Sequence, residues 1–452
     1  MTEWAAWAFP VIAITTWLGV PLYAALARGR LYALFAAVLL TLSIPAAWIL
    51  HARLGILFGD STRLWLDAIF AWSMAAAGLQ MGHLVRARLR GRAFRLLISV
   101  PGQTFVAAGL LALPWLLLLL PIRVLLSVFA GPDALLALTV VEALPLLVAL
   151  LSVATSIATR PELVRFGLDR EGPAEFERMP VQRLRGRRPG PLEGRPLRIV
   201  QISDTHLGPW QSVRRLRERI ARLVEHDPDL VALTGDYLTM ESMGTPGCLE
   251  EALSPLRPMA DRCVAIFGNH DHEAPDEVIR ALRALGIRLL VDDETCLRTE
   301  AGAVQVVGAD FVRRDRASHL AKLLGSFPRR PDHLRLLLLH DPSGFHALPE
   351  DEVDLVLSGH THGGQVGLVS LGIDWTVLSP TRWPDQGLFA RGRTRLYVHR
   401  GTGFYGFPLR IGVPAELSLL EVDPDGLVAA SRRPASAERA GRSEASALSA
   451  PA

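Results

Sequence analysis

Five long apolar runs before residue 160 limit what this chain can fold into more than any other feature of its sequence. Each run is close to the roughly 20 residues that an α-helix needs to cross the hydrocarbon core of a bilayer. The runs are Ala5–Leu26, Leu31–Leu50, Leu64–Leu84, Thr104–Leu120 and Ala134–Ala158. A buried helical core is the alternative, but a soluble protein would need much more polar chain to cover so many runs in succession. Residues 1–160 are therefore predicted to form a transmembrane domain of about five helices.

The placement of arginine among the connections between these runs predicts the orientation of the chain. The connection between the third and fourth runs is the most basic, with Arg86, Arg88, Arg90, Arg92 and Arg95. Arg28 and Arg30 lie between the first two runs, and Arg160 and Arg165 follow the fifth. The other connections hold fewer arginines, which are accompanied by acids. Because cytoplasmic connections carry an excess of Lys and Arg, we expect an integral protein of the inner (cell) membrane, with its N-terminus outside and everything after residue 160 in the cytoplasm.

Glu142 is an acidic residue well inside the fifth apolar run. A carboxyl group at that depth is costly and is often functional. The alternative is a protonated carboxyl that is hydrogen-bonded to a neighbouring helix. We favour the hydrogen-bonded carboxyl, because the apolar runs show no other charge ready to form a pathway with Glu142.

The composition changes at about residue 161. Residues 161–196 are predicted to be an Arg- and Pro-rich linker with an entry strand, lying either near anionic headgroups or simply in solvent. Residues 197–422 show the strand and helix patterns of an α/β domain. Residues 423–452 show no periodic apolar pattern and contain only a few scattered large apolar side chains, so a disordered tail is predicted.

Charge and cysteine content exclude some classes of function. The net charge of +3 comes from arginine, with Lys322 the only lysine, and much of the basic excess belongs to the membrane connections. No nucleic-acid partner is therefore expected. The cysteines Cys248, Cys263 and Cys296 form no CxxC pair and are assigned no role.

In the second half, short apolar segments end in residues that can bind a metal. Five predicted strands are Leu197–Ser203, Asp229–Thr234, Val264–Phe267, Leu334–Leu339 and Val353–Ser358. The candidate residues that follow them are Asp204 and His206; Asp236; Asn269, His270 and Asp271; His340; and His360 and His362. Each residue by itself could cap a helix or hold a turn. In α/β sheets, however, ligands gather where the carboxyl ends of strands converge, so the whole set predicts one site.

The donor types indicate a centre with two metal ions. Carboxylate, amide and imidazole donors suit Mn, Fe, Zn or Co better than Mg or Ca. One ion would not use Asp204, His206, Asp236, Asn269, His340, His360 and His362 at once. Two ions about 3.5–4 Å apart would, and such pairs activate a water molecule and hold phosphoryl oxygens.

The ordered series Asp-x-His, Gly-Asp, Gly-Asn-His-Asp, His and Gly-His-x-His resembles the signature of the calcineurin-like metallophosphoesterase superfamily. The series is complete over roughly residues 197–365. The segment from Gly359 to Gln365 and the later segment from Gly401 to Arg410 are similar to those of the bacterial membrane-associated branch. That branch includes enzymes that cleave the pyrophosphate of UDP-2,3-diacylglucosamine.

The resemblance implies a fold and a role for each candidate residue. The fold would be a multi-span, all-α membrane domain followed by a two-sheet β-sandwich flanked by helices, in four αββα layers. Asp204, His206 and His362 would hold the first metal; Asn269, His340 and His360 the second; and Asp236 would bridge them. His270 would serve the phosphate and the leaving group as the catalytic residue, with Asp271 orienting its imidazole.

The leading functional hypothesis is a membrane-anchored hydrolase of a phosphodiester or pyrophosphate. We expect a phosphate-ester or lipid-linked pyrophosphate substrate, membrane lipids as partners and two divalent ions as cofactors. A signalling nucleotide phosphodiesterase whose membrane half senses a ligand is one alternative, supported by Glu142 and by the long fourth hydrophobic region. A membrane scaffold without catalysis is the other, although every candidate metal position is intact.

Overall fold

The computed structural model describes residues 2–168, 173, 175–180, 182–184 and 196–423. In these residues a set of long N-terminal helices precedes an α/β domain with two mixed sheets. The predicted two-part architecture is therefore confirmed.

The N-terminal region, residues 2–157, consists mainly of helices. Its helices are α1 (Thr2–Ala27), α2 (Arg30–Leu54), α3 (Asp60–Leu84), α4 (Arg92–Phe94), α5 (Val100–Phe129), α6 (Pro132–Glu142) and α7 (Leu144–Ile157). Among the described residues, four stretches are long and apolar enough to span a membrane: Trp7–Ala27, Arg30–Leu54, Arg92–Phe129 and Pro132–Ile157. Helix α3 has 25 residues but is less apolar than these four. A fifth crossing by α3 thus stays a prediction.

Glu142 is not the solitary protonated carboxyl that the sequence suggested. It is fully buried, and its Oε1 lies 2.6 Å from a guanidinium nitrogen of Arg53. Its Oε2 lies 2.8 Å from a guanidinium nitrogen of Arg123. The expectation was wrong because both arginines are far from Glu142 along the chain, and helix packing brings their long side chains to it.

The second half contains two seven-stranded sheets. The strands of the first are, in spatial order, β3 (Gln182–Leu184), β1 (Thr159–Gly167), β14 (Ala415–Asp423), β4 (Leu197–Ile202), β5 (Leu230–Leu233), β6 (Cys263–Ala265) and β7 (Arg288–Leu289). Those of the second are β2 (Glu177–Arg178), β12 (Gly387–Arg391), β13 (Thr394–Val398), β11 (Leu355–Ser358), β10 (His333–Leu338), β9 (Gly302–Gly308) and β8 (Asp293–Thr299).

Helices cover the outer faces of these sheets. They are α8 (Val213–Val224), α9 (Met240–Met243), α10 (Cys248–Leu253), α11 (Pro275–Leu285) and α12 (Arg316–Ser326). Between the sheets, Ile199 of the first packs in one apolar core with Leu336 of the second. Residues of α8, α10 and α11 pack on the outside of the first sheet, and residues of α12 pack on the second. The result is a four-layer sandwich, as the resemblance implied.

The sandwich begins slightly earlier than its predicted entry strand. Strand β1 starts at Thr159, directly after α7, and pairs in parallel with β14, from Thr159 opposite Ala415 to Gly167 opposite Asp423. Helix α7 therefore leads straight into the sheet. Most of the Arg- and Pro-rich stretch up to residue 195 lies outside the described residues, as does the predicted tail from residue 424.

Polar contacts hold the sandwich against one end of the helices. Gln80 of α3 donates to Glu241 Oε1 over 3.1 Å. The backbone N–H of Arg410 donates over 3.0 Å to the hydroxyl of Ser156 in α7. These contacts place the loops after the strands next to the N-terminal helices.

Candidate metal centre

The predicted ligands come together at one edge of the sandwich. Strands β4, β5 and β6 are parallel neighbours, and so are β10 and β11 in the other sheet. Asp204, Asp236 and Asn269 follow the first three, whereas His340 and His360 follow the other two. Parallel strands deliver the residues after their carboxyl ends to the same edge, and this brings the motifs of distant segments into one site.

The backbone is unusual at the ligand positions. Five residues have positive φ angles, which are uncommon for residues other than glycine: Asp204 (51°), His206 (39°), Asp236 (57°), His360 (69°) and His362 (51°). Such conformations cluster at functional sites. They let the chain turn sharply after a strand and present a side chain. Gly268 shows how tight the turns are, since a Cβ there would lie 2.2 Å from Asp236 Oδ1.

The first group consists of Asp204, His206 and His362, all of them buried. The ligand atoms that these residues offer lie within 4.8 Å of one another. The Nε2 atoms of the two histidines are 3.1 Å apart, and His362 Nε2 is 3.4 Å from Asp204 Oδ1. Three donor atoms around one small volume are what a metal ion requires.

The second group consists of Asp236, His340 and His360. His340 Nε2 lies 3.2 Å from Asp236 Oδ2, and the same oxygen lies 3.8 Å from His206 Nε2 of the first group. One carboxylate oxygen therefore faces both groups. The two histidines of the Gly-His-Thr-His segment belong to different groups, with His362 in the first and His360 in the second.

The hydrogen bonds of His340 and His206 leave the atom needed for metal binding available in each ring. His340 Nδ1 lies 2.7 Å from the Thr234 carbonyl, and His206 Nδ1 lies 3.4 Å from the Leu238 carbonyl. A carbonyl can only accept, so in the neutral form of these two rings Nδ1 carries the proton and Nε2 offers its lone pair. Asn269 Oδ1 is a buried oxygen that has no hydrogen-bond partner among the described residues. Because an unpaired buried polar atom is costly, these residues fit a bound cation.

Burial tunes the protonation states of the first group. Burial lowers the pKa of His206 to about 3 and raises the pKa of Asp204 to about 6. In the second group, burial lowers the pKa of His360 to about 4. A metal binds the neutral imidazole, so these histidines are in the correct form at neutral pH.

Asp236 and His340 stabilise each other's charged forms. Burial opposes the ionisation of Asp236, but His340 and His206 hold the pKa of its carboxyl far below the usual range. Burial likewise opposes the protonation of His340, yet Asp236 raises the pKa of that imidazole to about 10. A metal ion at His340 Nε2 would therefore have to displace a proton from that atom. The carboxylate form of Asp236 is the one that can contact two cations.

His270 lies at the rim of the two groups. Its backbone N–H donates to Asp236 Oδ1 over 2.8 Å. Its Nδ1 lies 2.8 Å from Glu273 Oε1, and its ring stacks on Tyr405 with centroids 4.1 Å apart. Burial acts to lower the pKa of His270, but the hydrogen bond to Glu273 and the charge of Asp236 raise it overall.

Asp271 does not have the expected place beside the His270 ring. Its carboxylate is buried and accepts from the backbone N–H groups of Asp236, Tyr237 and Gly268 over 2.6, 2.8 and 2.8 Å. Glu273 is the acid on the imidazole. The correction has a local reason: a 3-10 turn over Asp271–Glu273 directs successive side chains to different sides. Asp271 thus shapes the loop that carries Asp236.

Two residues near the centre come from the late Gly-rich segment. The buried Arg410 guanidinium lies 3.0 Å from His362 Nδ1 and donates to the carbonyls of Arg400 and Gly403, each over 2.6 Å. The resemblance had pointed to Arg410. Tyr405 was missed, because an aromatic residue in a Gly-rich loop gives no periodic signal. Its only sequence cue was its place inside the segment from Gly401 to Arg410.

Comparisons with known proteins agree with this geometry. The family described as "Calcineurin-like phosphoesterase" matches residues 197–364. "Phosphodiesterase YaeI" of Escherichia coli (strain K12) is 29% identical over 232 residues, covering 50% of this chain and 82% of that protein. "Transmembrane protein with metallophosphoesterase domain" of Bos taurus is 28% identical over 263 residues, covering 54% of this chain and 55% of that protein.

Among solved structures, the 5'-nucleotidase precursor from Thermus thermophilus is similar with a TM-score of 0.32 and 13% sequence identity. The similarity covers 51% of this chain and 55% of that one.

Proposed function

Because this chain carries a calcineurin-like metallophosphoesterase domain and is a metal-dependent phosphoester hydrolase, we propose that it cleaves a phosphodiester or pyrophosphate bond in a lipid-linked substrate. The observation that carries the lipid part is an apolar slot between the membrane helices and the metal centre. Metal-ligand geometry alone would suit soluble phosphoesters equally well.

The slot is a cavity of about 60 Å³ with walls from both halves of the chain. Phe35, Met81 and Leu84 come from the membrane helices, and Phe404 and Phe407 come from the late Gly-rich loop. His206, a candidate metal ligand, also lines it, as does Tyr405, which stacks on His270. An apolar chain in this slot would leave its phosphate beside the metal groups. A UDP-diacylglucosamine-like molecule has that layout.

In the proposed centre the two groups would hold two divalent ions drawn from Mn, Fe, Zn and Co. Asp204, His206 and His362 would hold the first, and Asn269, His340 and His360 would hold the second. Asp236, whose Oδ2 faces both groups, would serve both ions. When bound, such a pair activates water and neutralises phosphoryl oxygens.

His270 supplies the proton for the departing oxygen. Its Nδ1–H donates to Glu273, which leaves Nε2 to point away from that carboxylate. Because Glu273 helps to raise the pKa of the ring, the protonated form persists closer to neutral pH. General acid catalysis of this kind contributes about 10²–10⁴-fold.

We place the catalytic domain on the cytoplasmic side of the inner membrane. The Arg-rich connection after α3 lies against this domain, where the N–H of Leu89 donates to Thr245 Oγ1 over 2.8 Å. At the other end of the helices, Arg53 and Arg123 share Glu142. Among the described residues of the helical half, arginine without an acidic partner therefore concentrates on the catalytic side, as the cytoplasmic bias requires.

The test compares an acylated diester with a water-soluble diester of the same headgroup, using the metal-loaded full chain. Phe35→Gln puts an amide at the slot, whereas the control Leu34→Gln changes the neighbouring, exposed position on α2. We expect Phe35→Gln to lower kcat/KM for the acylated diester roughly tenfold, since about 1.4 kcal/mol of apolar contact is lost. Turnover of the soluble diester should be unchanged. Equal use of both substrates by the native chain, or equal effects of both variants, would contradict a lipid-linked substrate.

A further inference from the structure

The connection between α3 and α4, residues 85–91, is a non-helical segment that we call the arginine strap. Its exposed residues Arg86, Arg88 and Arg90 alternate with the half-buried Ala87 and Leu89. Leu89 packs against the core of the catalytic domain, and its N–H donates to Thr245 Oγ1 over 2.8 Å. Because side chains of an extended chain alternate between its faces, docking of the apolar residues directs the arginines outward.

The guanidinium groups of the strap have no acidic partner among the described residues. Arg86 and Arg88 make no ion pair there, and Arg90 only lies over the Phe94 ring, 6.0 Å from its centroid. Arginine at the opposite end of the helices behaves differently, since Arg53 and Arg123 both pair with Glu142. Positive charge at the strap is thus left for an outside anion.

Two cavities adjoin the strap. One, of about 200 Å³, lies between Arg88, Arg90 and Arg95 on one side and Ser212 and Arg214 on the other. Ser212 is the N-cap of α8, a helix of 12 residues, whose N-terminus adds partial positive charge. The second, of about 410 Å³, is lined by the same part of the strap together with Tyr23 and His83. Around the smaller cavity, four guanidinium groups and a helix N-terminus outnumber the one acidic lining residue, Glu241, and form a site for an anion with several oxygens.

We propose that the arginine strap binds the phosphate group of an anionic phospholipid. The strap follows directly on Leu84, the end of α3, and leads into the span that starts at Arg92. It therefore lies at the boundary between apolar helix and polar domain, where headgroups lie. The smaller cavity also shares Gln80, Leu84 and Glu241 with the apolar slot beside His206. A lipid held by the strap would border the catalytic slot.

This site rests on the membrane placement and not on which bond the metal centre cleaves. Binding is consequently measured without turnover, on the full chain in neutral detergent. The probes are a short-chain phosphatidylglycerol, a phosphatidylcholine of equal chain length and inorganic phosphate, each titrated calorimetrically. We expect phosphatidylglycerol to bind, phosphatidylcholine to bind at least tenfold more weakly, and inorganic phosphate to bind more weakly than phosphatidylglycerol.

Charge variants locate the site. In the triple variant Arg86→Gln, Arg88→Gln and Arg90→Gln, we expect affinity for phosphatidylglycerol to fall about 100-fold, since each juxtamembrane arginine contributes on the order of 1 kcal/mol. The matched control removes three exposed arginines from the catalytic domain, by Arg222→Gln, Arg283→Gln and Arg298→Gln, and should change affinity less than threefold. A triple Arg→Lys variant of the strap should retain most of the binding, and it serves if the Gln triple does not fold.

Three results would overturn the proposal. Equal losses in the strap and control variants would show unspecific attraction. Equal affinity for the two phospholipids would show that the acyl chains alone bind. Phosphate binding as tightly as phosphatidylglycerol would show a site for a soluble anion. The chain could bind phosphatidylglycerol as expected and still show no preference for the acylated diester in the hydrolysis test. That combination would reject the proposed substrate but not the lipid site at the strap.

Discussion

Two clusters of buried charged side chains, one among the membrane helices and one at the edge of the sandwich, are built on opposite principles. Around Glu142 a buried carboxylate is matched by two guanidinium groups, so the protein itself supplies both signs of charge. At the sandwich edge, aspartates and histidines direct lone pairs at the same small volumes. The first cluster is complete as folded, whereas the second offers donors to which a cation could bind.

The difference between the two clusters shows how buried charges that serve stability can be distinguished from buried charges that serve function. Breaking a buried ion pair destabilises the fold, but an intact pair needs no ligand because its charges neutralise each other. Buried side chains that direct several lone pairs at one volume are not neutralised in this way, and a metal ion that binds there couples its binding energy to folding. This contrast also removes the main support for a ligand-sensing membrane half, because Glu142 is already paired.

Asp236→Asn is the variant with the largest expected effect, and it tests whether the cluster at the sandwich edge binds metal ions. Its Oδ2 faces both donor groups, so the neutral amide should lower metal content below two ions per chain, as measured by elemental analysis. Hydrolysis of a generic phosphodiester should fall more than about 1,000-fold, beyond the roughly 10–100-fold typical of residues behind the ligands. Asp276→Asn, at an exposed position on α11, is the matched control. Unchanged activity in Asp236→Asn would remove the metal assignment.

Glu142→Gln tests the other cluster and should act on stability alone. Loss of the carboxylate leaves Arg53 and Arg123 without their counter-charge, which we expect to lower the free energy of unfolding by about 3–5 kcal/mol. Thermal unfolding of the full chain in detergent measures this loss, while metal content and kcat/KM of the folded fraction should stay at native values. Glu250→Gln breaks an exposed pair with Arg257 and should cost less than about 1 kcal/mol. Loss of turnover in folded Glu142→Gln would instead favour a sensing role.

Glu273→Gln sharpens the comparison at the rim of the metal centre. Glu273 helps to raise the pKa of His270 against burial, so the amide should lower that pKa. If protonated His270 serves the leaving group, the alkaline limb of the kcat/KM profile moves to lower pH, and activity above it falls by up to about tenfold per unit of displacement. Metal content should not change. Asp271→Asn should instead reduce metal content without moving the limb, because Asp271 binds the backbone of the loop that carries Asp236. If Asp271→Asn instead moved the alkaline limb and Glu273→Gln did not, Asp271 would be the acid that orients the His270 imidazole.

Much of the fold could be predicted because its signals are local. Apolar runs as long as a bilayer is thick gave the helical half, although α3 proved less apolar than its neighbours. Short apolar strands followed by Asp, Asn and His gave the sheets and the edge at which the site lies. These properties depend on periodicity and on order along the chain, both of which can be read from residues close in sequence.

By itself, then, the sequence determined which residues stand after which strands, and hence which side chains meet at the sandwich edge. Tertiary structure alone decided the partners: two arginines for Glu142, Glu273 in place of Asp271 for His270, and Tyr405 on the His270 ring. It also decided that the arginine strap remains without acids among the described residues, next to a slot that reaches His206. The physical reason is range. Strand and helix patterns arise from neighbouring residues, whereas an ion pair or ring contact forms only when packing brings two side chains within a few ångströms.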